Sequence, residues 1–137
     1  HCRAADLILH AGDLVDLPVL RLLQSLGPAV HAISGNVDKA AVRAVIPDRL
    51  ELELAGVRIG MTHIPGPAAG RLARLRAAFP ACQAVIFGHT HMPEHAEDGD
   101  FQIFNPGSPT ERRRAPLHTM GLARITGETI EFELLVV

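Results

Sequence analysis

An α/β fold whose buried strands deliver functional loops is predicted by three features of the chain. Short apolar runs at residues 5–9, 30–33 and 84–87 stop abruptly at Ala11-Gly12-Asp13, Gly35-Asn36 and Gly88-His89-Thr90-His91. A segment with helical apolar spacing separates the first two runs, and the later chain reads as strand hairpins. Runs that end at glycine and then polar residues suit buried strands entering loops, because the strand needs apolar faces and the loop needs backbone freedom.

Taken in order, residues 5–9 form a first strand. Residues 18–26 carry Val19, Leu20, Leu22, Leu23 and Leu26 at the spacing of a core-facing helix, with Pro18 suited to its first turn and Gly27-Pro28 as its stop. Residues 30–33 are the next strand. Strand, helix, strand predicts a parallel pair with a right-handed crossover, and ligands of such sheets gather beyond the carboxyl ends of the strands. Asp13 and Asn36 would both lie there. Leu50-Glu51-Leu52-Glu53-Leu54 alternates apolar with acidic, Ala55-Gly56 turns the chain, and Val57-Arg58-Ile59-Gly60-Met61 returns it. This predicts an antiparallel hairpin with one wet face that ends at His63.

Residues 68–79 predict a basic amphipathic helix covering a sheet, with Leu72, Leu75 and Phe79 on one side and Arg71, Arg74 and Arg76 elsewhere. Two short strands follow at 84–87 and 101–104, the second ending in Asn105-Pro106-Gly107-Ser108. Residues 120–125 and 129–137, joined at Thr126-Gly127, predict a second hairpin.

Composition narrows the function classes. A chain of 137 residues suffices for one domain, expected to span residues 1–137, that buries about 70% of its unfolded surface. Hydrophobic residues make up 47%, yet no apolar run approaches the roughly 20 residues needed to cross a bilayer, so no membrane partner is expected. The net charge of −2 gives no bulk field to gather nucleic acid, and five Phe without Trp or Tyr leave few surfaces for stacking bases. The one basic cluster, Arg112-Arg113-Arg114, reads as a solvated loop. Cys2 and Cys82 make no disulfide framework and no Cys-x-x-Cys pair, which fits a reducing compartment and a cytoplasmic location. Exposed terminal strands are compatible with a homodimer.

Asp13, Asn36, His63, His89 and His91 supply carboxylate, amide oxygen and imidazole, a set suited to Mn²⁺, Fe or Zn²⁺. Each follows a predicted strand, so all five can converge on one end of a sheet. Gly12-Asp13 or Gly35-Asn36 alone could be a turn, and His63 alone a strand-end residue. Two imidazoles two residues apart beside Gly88 are harder to explain structurally. His10 could orient Asp13 or be a buried, hydrogen-bonded histidine, and Asn105 and Ser108 could touch a substrate phosphate or form a turn. Two ions about 3.5–4 Å apart can share a bridging water, lower its pKa to give hydroxide, and clamp a phosphoryl group.

The ordered set of Gly12-Asp13, Gly35-Asn36-Val37-Asp38, His63, Gly88-His89-Thr90-His91 and Asn105-Pro106-Gly107-Ser108 resembles the calcineurin-like metallophosphoesterase superfamily, in its small bacterial and archaeal phosphodiesterase branch. The resemblance implies a sandwich of two mixed sheets flanked by helices. It implies two divalent metal ions, Mn²⁺ first with Ni²⁺, Fe or Zn²⁺ as alternatives. Asp13 would bridge both ions, Asn36, His63 and His89 would complete one site, and His91 would belong to the other. Asp13, Asn36 and His89 would carry catalysis, with Asn36 and Asn105 touching substrate.

Two departures matter. The Asp-x-His motif that would complete the second site is not in this sequence, so we expect the natural protein to carry a further strand and helix of about 25–30 residues. Val37 stands where many relatives have a histidine, and it cannot donate a proton, which favours a small phosphodiester substrate over a monoester. Asp38 is expected to cap the helix that follows. The activity implied is metal-dependent phosphodiester hydrolysis, with a single-ion hydrolase or a non-catalytic scaffold as alternatives.

Overall fold

The computed structural model describes residues 1–137. Its elements are β1 (Leu7–His10), α1 (Leu17–Gln24), β2 (Ala29–Ala32), α2 (Ala40–Arg43), β3 (Arg49–Leu54), β4 (Val57–Thr62), α3 (Arg71–Ala78), β5 (Ala84–Phe87), β6 (Glu94–Asp98), β7 (Phe101–Asn105), β8 (Thr119–Thr126) and β9 (Thr129–Val136), after a short 3₁₀ turn at Cys2–Ala4. The central sheet is mixed, in the order β3-β4-β5-β7-β6. Its middle pairs, β4 with β5 and β5 with β7, are parallel, and its two edge strands are antiparallel to their neighbours.

All four residues of β5 are buried, as a central parallel strand covered on both faces requires. Ala84 and Ile86 face one core with Val57, Ile59, Met61, Ile33 and Ile130. Val85 and Phe87 face the other, with Leu75, Phe79, Cys82, Phe101 and Ile103 under α3. A third cluster of Leu14, Leu20, Ala32 and Val42 packs α1 and α2 onto the outer side of the β1–β2 pair. The layers are therefore helices, strand pairs, mixed sheet and helix. No helix is long and apolar enough to cross a membrane.

β1 and β2 pair in parallel from Leu7 opposite Ala29 to His10 opposite Ala32, as the strand-helix-strand pattern predicts. The layer facing the five-stranded sheet is not one continuous sheet. It consists of the parallel β1–β2 ladder and the antiparallel β8–β9 ladder, each two strands wide.

Three local features differ from the sequence expectation. The helix predicted over 68–79 begins at Arg71, because Gly70 takes a left-handed conformation with φ of 68°. β6 has no sequence signal, since Glu94-His95-Ala96-Glu97-Asp98 has neither the alternation nor the β-branched residues of a strand. It forms as an edge because five of its residues pair with β7. Asp38 does not cap α2, whose N-cap is Lys39 with no side-chain bond.

Candidate metal centre

β1, β2, β4 and β5 each run into a loop that carries a proposed ligand, and glycine lets those loops touch. A Cβ on Gly12 would come within 2.4 Å of His63 Nδ1, one on Gly35 within 2.1 Å of Asp13 Oδ1, and one on Gly88 within 2.6 Å of the Ala11 carbonyl oxygen. Each glycine occupies space that any side chain would take from a neighbouring loop. Asp13, His89 and His91 have positive φ of 62°, 67° and 58°. Such conformations are uncommon outside glycine and concentrate where the surrounding fold forces a side chain into a functional position.

The convergence is close for four of the five proposed ligands. Asn36 Oδ1 lies 2.8 Å from His89 Nδ1 and 3.0 Å from His63 Nε2. His63 Nε2 lies 3.3 Å from Asp13 Oδ2. The two imidazoles meet edge to face with centroids 5.3 Å apart. Asp13 Oδ1 accepts a bond of 3.1 Å from the Val37 amide, which turns Oδ2 toward His63.

His63 is buried, and its Nδ1–H donates to the Ala11 carbonyl at 2.7 Å, a partner that can only accept. That bond leaves Nε2 as the lone-pair nitrogen of the neutral ring, facing the Asn36 and Asp13 oxygens. Acceptors facing acceptors is unfavourable unless the ring gains a second proton or a cation sits among them. Nitrogen and oxygen ligands about 2.0–2.2 Å from one ion lie roughly 3 Å from one another, the spacing seen here. The donor set therefore fits a divalent cation. The His, Cys, Asp and Glu side chains make no metal-holding group of three without Asn36.

His91 stands apart. Its Nδ1–H donates to the Glu111 carbonyl, which leaves Nε2 as its free nitrogen and makes no bond to the other four. The pKa of His89 is lowered by burial first, then by the neighbouring His63 and Arg113, which favours the neutral form a metal requires. His10 makes no hydrogen bond to Asp13. Its Nδ1 is buried without a partner, and burial lowers its pKa.

Asn105 has a different task from the substrate contact expected of it. It is fully buried, donates from Nδ2 to the Gly88 carbonyl at 3.1 Å and Thr90 Oγ1 at 2.9 Å, and accepts from the Gly107 amide at 2.9 Å. No surface remains for a substrate, and the residue instead holds the His89–His91 loop in place. Asp38 likewise ties two loops together, accepting from the Val15 amide at 2.5 Å and the Gly35 amide at 2.6 Å. Buried carboxylates that accept backbone bonds in this way fix loop geometry.

Arginines were missed as builders of the site. Arg43 donates to the carbonyls of Asp38 at 2.9 Å, Gly35 at 2.8 Å and Asn36 at 2.9 Å. Arg71 and Arg74 hold the carbonyls of Gly66, Pro65 and Pro67 after His63, and Arg113 reaches the His89 carbonyl at 3.2 Å. Sequence gives no signal for these bonds, because any arginine can reach a main-chain oxygen of a distant loop. Beside Asn36 and His63 an open cavity of about 280 Å³ is lined by Ser34, Arg43, Asp48, Thr62 and Ile64.

Comparison with known proteins decides the family. The profile of the calcineurin-like phosphoesterase superfamily domain matches residues 1–128. The chain belongs to this superfamily. A probable metallophosphoesterase of Methanothermobacter thermautotrophicus is 36% identical over 135 residues, covering 97% of this chain and 77% of the relative. A phosphodiesterase of Methanocaldococcus jannaschii is 25% identical over 113 residues, covering 74% of this chain and 66% of the relative. A probable metallophosphoesterase of the same organism is 36% identical over 111 residues, covering 79% of this chain and 55% of the relative.

Among solved structures, a Thermotoga maritima protein superposes with a TM-score of 0.76 at 29% identity, over 99% of this chain and 83% of its own. Vps29 of Entamoeba histolytica, solved in complex with zinc, superposes with a TM-score of 0.75 at 22% identity, over 96% of this chain and 82% of its own. The architecture is that of the superfamily, and membership implies phosphoester hydrolysis with divalent metal ions.

Proposed function

We propose that this protein hydrolyses phosphodiesters, with Asp13, Asn36, His63 and His89 holding one divalent cation and Asp13 and His91 reaching toward a second. The observation that carries this reading is the 2.8–3.3 Å spacing of oxygen and nitrogen atoms from four residues around Asn36 and His63, with the His63 Nε2 lone pair facing the Asn36 and Asp13 oxygens. Cations bound there supply Lewis-acid polarisation of the phosphoryl group and a water nucleophile at neutral pH. Mn²⁺ is the first candidate for a mixed oxygen and imidazole set.

This chain's own residues do the positioning. His63 is locked in one tautomer by the Ala11 carbonyl, and Asn36 is held through its own carbonyl by Arg43. Val37 is 47% exposed beside Asn36 and offers no proton to a leaving group. That supports a small diester whose leaving group departs without a strong general acid. The M. jannaschii phosphodiesterase relative is consistent with this choice of substrate.

A single-ion centre is the second reading. It is favoured by the lack of any hydrogen bond between His91 and the other four residues, its one side-chain bond going to the Glu111 carbonyl. Mn²⁺ titration of the metal-free protein, followed by hydrolysis of bis(p-nitrophenyl) phosphate, tests both readings. Two ions per chain with turnover supports the first, and one ion with turnover supports the second. Metal binding without hydrolysis of any diester would leave a scaffold.

A further inference from the structure

The three arginines at 112–114 are not equivalent. Residues 108–115 fold back over the His89–His91 loop and are tied to it twice, by His91 donating to the Glu111 carbonyl and by Arg113 Nη1 donating to the His89 carbonyl at 3.2 Å. Arg112 turns inward on its own loop, donating to the carbonyls of Ala115 and Pro116 at 3.1 Å each. Arg114 makes no hydrogen bond or ion pair. Only Arg113 is brought to the metal centre, and its backbone takes a left-handed φ of 49° to get there.

Arg113 has no counter-ion. The ion pairs of the structure are made by Lys39, Arg49, Arg58, His63, Arg71, Arg76 and Arg124, and none involves this loop. Arg43, the other guanidinium at the rim, spends Nε and Nη2 on three carbonyls. Arg113 spends one N–H of five, so most of a rigid, planar fork remains free. A free guanidinium beside a cation-binding centre is a repulsive arrangement unless an anion lies between them. A phosphoryl oxygen is the anion that such a fork matches.

We infer that Arg113 binds a non-bridging oxygen of the substrate phosphoryl group and so orients it against the metal centre. This rests on the proposed phosphoesterase reading of that centre, and it assigns the anion contact to the loop after Ser108. The contact is supplied in the ground state, so it governs substrate affinity more than turnover.

The test uses the full chain loaded with Mn²⁺, inorganic phosphate as the binding probe and bis(p-nitrophenyl) phosphate as substrate. Arg113→Gln is expected to weaken phosphate binding about tenfold and raise KM similarly, with smaller falls in kcat and in Mn²⁺ affinity, because it also loses the bond to the His89 carbonyl. Arg113→Lys should recover part of the loss, and Arg114→Gln should lose nothing. Unchanged phosphate affinity in Arg113→Gln overturns the inference. An equal loss in Arg114→Gln also overturns it, because the effect would then be diffuse charge. If the parent binds phosphate through Arg113 but hydrolyses no ester, the anion site stands and the phosphoesterase reading fails. If the parent turns over and phosphate binding ignores Arg113, only the anion site fails.

Discussion

The glycines of the ligand loops and those of the hairpin turns do opposite things. At Gly127 and Gly99 an added Cβ would meet nothing within 4 Å, and glycine is there because φ is 62° at both. At Gly35 and Gly88 φ is not left-handed, and glycine is there because Asp13 and the Ala11 carbonyl occupy the space of a side chain. A turn glycine serves its own backbone, Gly35 and Gly88 serve residues distant in sequence, and Gly12, with φ of 100° and His63 Nδ1 2.4 Å from where a Cβ would lie, does both. The comparison explains why the ligand loops can gather four potential ligands while the hairpin turns only reverse the chain.

Removing a ligand should break the site outright. Asn36→Ala deletes the oxygen shared by His63 and His89, and hydrolysis of bis(p-nitrophenyl) phosphate with Mn²⁺ should fall by more than the roughly 10–100-fold that loss of an outer hydrogen-bond partner costs. Chelation of the metal should abolish the same activity. Gly35→Ala comes next, since its Cβ would sit 2.1 Å from Asp13 Oδ1 and 2.4 Å from the Asp13 amide nitrogen. Overpacking of this kind costs about 1–3 kcal/mol, and urea unfolding with Mn²⁺ titration should show stability and metal affinity falling together.

Asp38→Asn tests whether loop ties matter as much as ligands. It weakens two charge-assisted bonds, to Val15 and Gly35, and should cost about 1–3 kcal/mol in urea unfolding. A smaller effect comes from pH. Burial lowers the pKa of His10 below its ordinary 6.5, so the unfolded chain binds this proton more readily than the folded one. The contribution is complete above pH 6.5 and is lost as pH falls below it, so the urea midpoint of the metal-free protein should drop between pH 7.5 and 5.5, and His10→Gln should flatten part of that drop. Gly127→Ala marks the bottom of the scale. It should cost about 1 kcal/mol from left-handed strain alone, with Mn²⁺ affinity unchanged. A loss of metal affinity there would erase the distinction between the two kinds of glycine.

Much of this arrangement is legible in the sequence. β1, β2, β4 and β5 each carry an apolar pattern and end at polar motifs, so both the strands and the loops beyond them could be read directly. β6 could not, because an acidic edge strand takes its stability from the five residues it pairs with on β7. The hydrogen-bonding partners of Asn105 and Asp38 were also hidden, since an Asn-Pro-Gly-Ser turn and an Asp before a helix have obvious local uses. Both residues instead bond to loops that approach only in the folded chain.

The sequence by itself determined the order of the strands and helices apart from β6, the family and the kinds of ligand atom on offer, because these depend on local pattern and residue chemistry. Only the tertiary structure decided which of them meet. It brought Asn36 between His63 and His89, turned His91 to Glu111, split one facing layer into two ladders, and selected Arg113 from three adjacent arginines. The physical reason is that each of these outcomes depends on the approach of segments far apart in the chain, and an approach of a few ångströms is set by packing rather than by local pattern.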